Sequence, residues 1–125
     1  MTEWIYFIHP PREDFAATIT PEEQAVWAEH FQRLQQMLAD GQLIIAGPTL
    51  GKVNTGICVF EAPDEQAARQ VMEDDPVISG GYARGELRPF RVSLLRGRDL
   101  WISLVRRMIC ARGSIGRFGG RSARR

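Results

Sequence analysis

A chain of 125 residues, 44% of them hydrophobic, has room for one domain with a real core and little else. Its formal charge of +1 hides a division: residues 1–95 hold 7 Lys and Arg against 14 Asp and Glu, a balance of −7, whereas residues 96–125 hold 9 Arg and one Asp, a balance of +8. No run approaches the roughly 20 apolar residues that span a bilayer, no secretory leader pattern opens the chain, and Cys58 and Cys110 lack the spacing of a disulfide framework or a zinc site, so the expectation is a cytoplasmic protein with reduced thiols and neither metal nor cofactor.

In chain order, Glu3-Trp4-Ile5-Tyr6-Phe7-Ile8 is rich in aromatic and β-branched residues and predicts a first strand. It stops at His9-Pro10-Pro11, because proline cannot donate to a ladder. Thr20 as N-cap, Pro21 at the first helical position and Glu23 closing a capping box predict a helix that runs to about Ala39, where Asp40-Gly41 ends it. Its apolar stripe reads as Trp27, Phe31, Leu34 and Leu38, with His30 on it. Leu43 to Ala46 is a short second strand, broken by Gly47-Pro48. After a polar loop with Lys52 and Asn54, Gly56 to Glu61 reads as a third strand and as the hairpin partner of the second. Pro63-Asp64 opens a second helix with Ala67, Ala68, Val71 and Met72 on its apolar side. Asp75-Pro76 closes it, since a residue before proline is pushed out of the helical region. Ser79-Gly80-Gly81 then leads to a last strand from Glu86 to Leu94, in which Pro89 indicates an edge position or a bulge.

The order β-α-β-β-α-β predicts an α+β, ferredoxin-like fold over residues 1–97: a four-stranded antiparallel sheet with two helices on one face. Residues 98–125 form a basic C-terminal extension, in which Leu100 to Ile109 fits a short helix. The glycine, serine and arginine of residues 113–125 cannot bury enough surface to fold alone. Three accounts of the extension compete: docking on a sheet edge or a partner subunit, binding to anionic lipid or nucleic acid, and coding sequence without selected function. No base-stacking aromatics accompany the arginines, which ranks nucleic acid lowest.

An imidazole has little place on an apolar helix stripe unless a partner or ligand meets it, and the topology can bring Asp75 to His30; Asp74 is the alternative for the same role, although the Asp-Pro step favours Asp75. Each candidate also has a plain structural reading. His30 fits a satisfied core residue, Asp75 fits helix-end punctuation, and the glycines of Ala46-Gly47-Pro48 and Gly80-Gly81 fit turns as well as pocket walls. His9 reads as an exposed loop residue and Cys58 as packing. Arg12, Arg33 and Arg88 fit surface ion pairs or contacts to a substrate carboxylate.

Four segments resemble the YciI-like (YCII-related) proteins in order and spacing. They are His30-Phe31-Gln32-Arg33-Leu34, then Asp40-Gly41-Gln42-Leu43-Ile44-Ile45-Ala46-Gly47-Pro48, then Asp75-Pro76-Val77 with Gly81, and Leu87-Arg88-Pro89-Phe90. The resemblance covers roughly residues 3–95. It implies a compact ferredoxin-like domain that dimerises sheet to sheet, related to the dimeric α+β barrels that include muconolactone isomerases. It places the family's proposed active-site pair, a helix histidine and the aspartate of an Asp-Pro step, on His30 and Asp75. The basic extension departs from that pattern.

The resulting expectation is a small-molecule enzyme of isomerase or lyase type, without a cofactor. His30 moves a proton next to a carbonyl of a small ring or carbonyl compound, and Asp75 holds its tautomer. Gly47, Pro48, Gly81 and Arg33 are the candidate substrate contacts. The alternative is a small-ligand-binding or regulatory module that uses the same pocket without turnover. A homodimer through the sheet face, no specific nucleic acid and no transmembrane segment complete the expectation.

Overall fold

A computed structural model describes residues 1–96. The chain divides between Arg91 and Val92, and residues 98–125, with the helix expected in them and Cys110, lie outside the described residues. The elements are β1 (Thr2–His9), α1 (Phe15–Thr18), α2 (Pro21–Ala39), β2 (Leu43–Pro48), β3 (Gly56–Ala62), α3 (Glu65–Glu73), α4 (Pro76–Ser79) and β4 (Arg84–Pro89). The four strands form one antiparallel sheet in the order β2-β3-β1-β4, which is the ferredoxin-like arrangement.

Local chemistry fixes the ends of α2. The Thr20 hydroxyl accepts from the Glu23 amide at 3.2 Å, and the Glu23 carboxylate accepts from the Thr20 amide at 2.9 Å. This reciprocal capping box satisfies two orphan donors at once. At the other end Gly41 takes φ +78°, and the amides of Gly41 and Gln42 turn back to the carbonyls of Leu38 and Met37. These are the two bonds of a Schellman stop, open to glycine because it has no Cβ to clash in the left-handed region.

Alternation along the strands sorts the sheet into two faces. Tyr6 and Ile8 of β1 and Cys58 and Phe60 of β3 join Leu34 and Met37 of α2 and Ala68 and Met72 of α3 in the core. Ile5, Phe7, Ile57 and Val59 point the other way, in register as Ile5↔Val59 and Phe7↔Ile57.

The structure departs from the sequence reading in four places. The buried face of α2 is Glu23, His30, Leu34 and Met37, while Phe31 and Leu38 of the expected stripe stand 60% and 57% exposed. The two faces share His30 and Leu34, and Met37 replaces Leu38, so the buried face is turned by only part of one residue's 100° step. Strand β2 does not break at Gly47-Pro48, because both still pair, with Ile57 and Gly56. Strand β4 runs over Arg84–Pro89 rather than 86–94; Pro89 ends it opposite Trp4, as expected where the amide donor is lost. Two four-residue helices, α1 and α4, occupy stretches read as loop.

Candidate active site

The Asp75-Pro76 step does more than end α3. Pro76 disfavours helical geometry at Asp75, which takes φ −65°, ψ 124° and becomes the N-cap of α4, with its carboxylate accepting from the Val77 amide at 3.2 Å. That turn sends the side chain inward, where Asp75 has 0% exposure. Beneath α2 it meets His30, 8% exposed, whose Nδ1 lies 2.7 Å from Oδ2 and 2.9 Å from Oδ1. With the carboxylate ionised, Nδ1–H donates; in the neutral imidazole the lone pair then lies on Nε2, on the opposite edge of the ring.

Two further groups hold the carboxylate. The Tyr6 hydroxyl, from the middle of β1, donates to Oδ2 at 2.7 Å. Arg33, one turn along α2 from His30, donates through Nη2 to the Val71 carbonyl at 2.7 Å and brings Nη1 within 3.9 Å of Oδ2. Burial disfavours the charge on Asp75, but the hydrogen bond and charge of His30, the Tyr6 hydroxyl and the Val77 amide outweigh it and hold the acid below its ordinary range. Burial also holds the Tyr6 phenol protonated far above its ordinary range. It pushes the neighbouring Cys58 thiol up to about 12, so this free cysteine is a neutral thiol at physiological pH.

His30 forms part of the wall of a cavity of about 520 Å³, within the range of small-ligand sites. The cavity lies among the α2 face, the ends of β2 and β3, the loop that carries Leu50 and Asn54, and the segment Pro10–Ile19 that includes α1. That segment is pinned in place. Arg12 makes a two-pronged contact with Glu23 at 2.8 and 2.7 Å and also bonds Thr18, while the Asp14 amide donates to the Lys52 carbonyl at 2.7 Å. The hydrogen bonds from Arg12 draw the Glu23 carboxyl down to about 2, with the Thr20 amide contributing.

Of the substrate contacts read from the sequence, Gly47 and Pro48 line the cavity. Arg33 stands behind the carboxylate instead, and Gly81, at φ +76° beyond α4, is not among the lining residues. His9 is a strand residue, partly covered and 3.6 Å from Glu86, rather than an exposed loop histidine. Arg12 and Arg88 pair with Glu23 and Glu86. Tyr6 escaped the sequence reading because an aromatic in a strand between other aromatics reads only as core. Its place on the helix-facing side of β1 was the available signal.

Fold and site together define a ferredoxin-like α+β domain with a buried histidine–carboxylate pair at the wall of a ligand-sized cavity. The model of the YCII-related domain matches residues 4–91, and the chain belongs to that family. The comparison with curated proteins finds no match. Among solved structures, the chain is similar to the 5-chloro-2-hydroxyhydroquinone dehydrochlorinase TftG from Burkholderia phenoliruptrix AC1100, solved in complex with 2,5-dihydroxybenzoquinone. The TM-score is 0.55 at 19% identity, over 73% of this chain and 94% of that one, a likeness of fold. Among the described residues no helix is long and apolar enough to cross a membrane.

Proposed function

We propose that this protein is an acid–base enzyme acting on a small molecule bound in the cavity, with His30 and Asp75 as its working pair. The observation that carries the reading is the 2.7 Å contact of His30 Nδ1 with a fully buried carboxylate while the same imidazole lines the cavity. Asp75 fixes the tautomer with the proton on Nδ1, so Nε2 is the base. It takes a proton from a carbon next to a carbonyl and becomes imidazolium, stabilised by Asp75, and the electron pair moves into an enolate. Return of the proton at another carbon gives isomerisation, and departure of a leaving group from the neighbouring carbon gives elimination. TftG, a dehydrochlorinase by name, offers the example of an elimination on a ring compound by a protein of the same fold.

The direct test is a nitrogen-15 spectrum of the imidazoles, assigned with His30→Gln, alongside a solvent-deuterium exchange screen of ring ketones. The expected result is a neutral His30 protonated at Nδ1, with exchange that is lost in His30→Gln. A proton on Nε2 contradicts the assignment of the base. Saturable binding without exchange favours the module that binds without turnover.

The proposal extends to a homodimer through the sheet face turned away from the helices. Its support is that Ile5, Phe7, Ile57 and Val59 form an apolar patch outside the core beneath the helices, in which Phe7 and Ile57 stay half-buried in the single chain while Ile5 and Val59 are already buried. Sedimentation equilibrium of the full chain at micromolar concentration is expected to give twice the chain mass.

A further inference from the structure

The cavity that His30 lines selects by charge. Its walls are built from Ile8, Phe15, Ile19, Trp27 and Leu34, with Phe15 and Trp27 in contact at 4.6 Å between ring centroids. Polar side chains reach the lining at four positions, Trp27, His30, Asn54 and Cys58. The Asn54 amide is already spent, accepting from the Ala16 amide and donating to the carbonyls of Thr49 and Gly51, each at 3.2 Å. The Cys58 thiol stays neutral. His30 Nε2 and the Trp27 indole N–H are thus the polar side-chain groups left to meet a ligand among the described residues.

No described cation lines the cavity. Arg12 is committed to Glu23, Arg33 to Val71 and Asp75, and Lys52 to Glu13 at 3.1 Å. A carboxylate or phosphate entering here would lose its water without gaining a cationic partner, and it would face the negative charge of Asp75 across the imidazole ring. Proton transfer sharpens the contrast. From a neutral substrate it leaves one enolate charge beside one imidazolium, whereas from an anion it leaves two negative charges for the same cation.

We infer that the natural ligand is a neutral, largely apolar ring compound of one or two rings, held by the aromatic walls and offering one polar edge to His30 Nε2, and that the site rejects carboxylates and phosphates. This rests on the acid–base reading only for the edge that faces His30; the charge preference comes from the walls.

Two probes with one ring skeleton, 2-naphthol and 2-naphthoate, test it on the full chain by proton–nitrogen NMR at the amides of Ala16, Gly47 and Gly56. Naphthol is expected to shift these amides saturably, with naphthoate at least about tenfold weaker. Leu50, 88% exposed at the rim, takes a cation without disturbing the core. Leu50→Arg is therefore expected to strengthen naphthoate at least about fivefold and leave naphthol within about twofold. Naphthoate binding as tightly as naphthol overturns the inference, as does naphthol leaving the three amides unmoved or Leu50→Arg failing to strengthen naphthoate. The two readings fail separately. A neutral preference that holds while no ring ketone exchanges deuterium removes the acid–base reading alone, and exchange on a carboxylate-bearing ketone removes this inference alone.

Discussion

The molecule contains two histidine–carboxylate pairs, and they differ in everything except composition. His9 and Glu86 meet diagonally across β1 and β4 at 3.6 Å, both partly exposed, with Arg88 also on the carboxylate. His30 and Asp75 meet at 2.7 Å with the carboxylate fully buried and held by a tyrosine hydroxyl and a backbone amide as well. At 3.6 Å the first pair makes no hydrogen bond, and His9 Nε2 is buried without a hydrogen-bond partner, so nothing fixes its geometry. In the second, each bond to Asp75 narrows the position of the ring. A histidine near an acid is common; what builds a base with a defined free nitrogen is a carboxylate whose other lone pairs are already taken.

The largest expected effect follows from breaking the buried pair. Asp75→Ala leaves His30, Tyr6 and Arg33 Nη1 around an empty site and is expected to cost about 3–5 kcal/mol in urea unfolding, as for other buried pairs that lose one partner. Glu86→Gln, the corresponding change at the exposed pair, is expected to leave the unfolding midpoint unchanged. Equal effects would remove the distinction between the two pairs.

His30→Gln removes the base but keeps an amide that can bond Asp75. Turnover is expected to fall by about 10²–10⁴-fold while near-ultraviolet circular dichroism stays native. His9→Gln is expected to leave turnover unchanged, and a comparable loss there would move the chemistry to the other pair.

Tyr6→Phe tests whether the hydroxyl positions the carboxylate. Losing a hydrogen bond to a charged group is expected to cost about 1.5–3 kcal/mol of stability. A purely structural role would stop there. A positioning role also reduces kcat more than KM and mixes the His30 tautomers in the nitrogen-15 spectrum.

Acid should loosen the pinned segment before it unfolds the sheet. The folded Glu23 carboxyl is drawn down to about 2, below its ordinary value of 4.5, so its contribution to stability is present above the ordinary carboxylate range and is lost as pH falls from 4.5 toward 2. Asp75, also lowered, adds a loss of the same sign below its own ordinary range. Glu23→Gln is expected to flatten the acid limb of stability against pH, and an unchanged limb would show that the Arg12 contact does not hold the segment in solution.

The contrast between the two pairs was half legible in the sequence. The capping box and the Gly41 stop are local signals, each written in adjacent residues, and both stand in the structure as expected, while His30 and Asp75 lie in contact. What the chain hides is which side of α2 faces the sheet. Two of the four buried positions, Glu23 and His30, are polar, so the true stripe is camouflaged, while Phe31 and Leu38 imitate one a residue away. Tyr6 and Arg33 join the site through contacts spanning dozens of residues, and no local pattern encodes those.

The smallest expected effect tests that rotation. Leu34 lies in the core, and Leu34→Ala is expected to cost about 2–5 kcal/mol through the cavity it leaves. Phe31, next to His30 and apolar like Leu34, is exposed at the cavity rim. Phe31→Ser should therefore change stability by less than about 0.5 kcal/mol, as surface substitutions do. Its effect should appear in ligand binding, because the ring covers part of the opening and contributes apolar surface to whatever enters. If Phe31→Ser instead destabilises the fold as Leu34→Ala does, Phe31 packs inward, and His30 moves away from the wall where Nε2 meets the cavity. The phase of a single helix thus decides whether this imidazole is a core residue or a base.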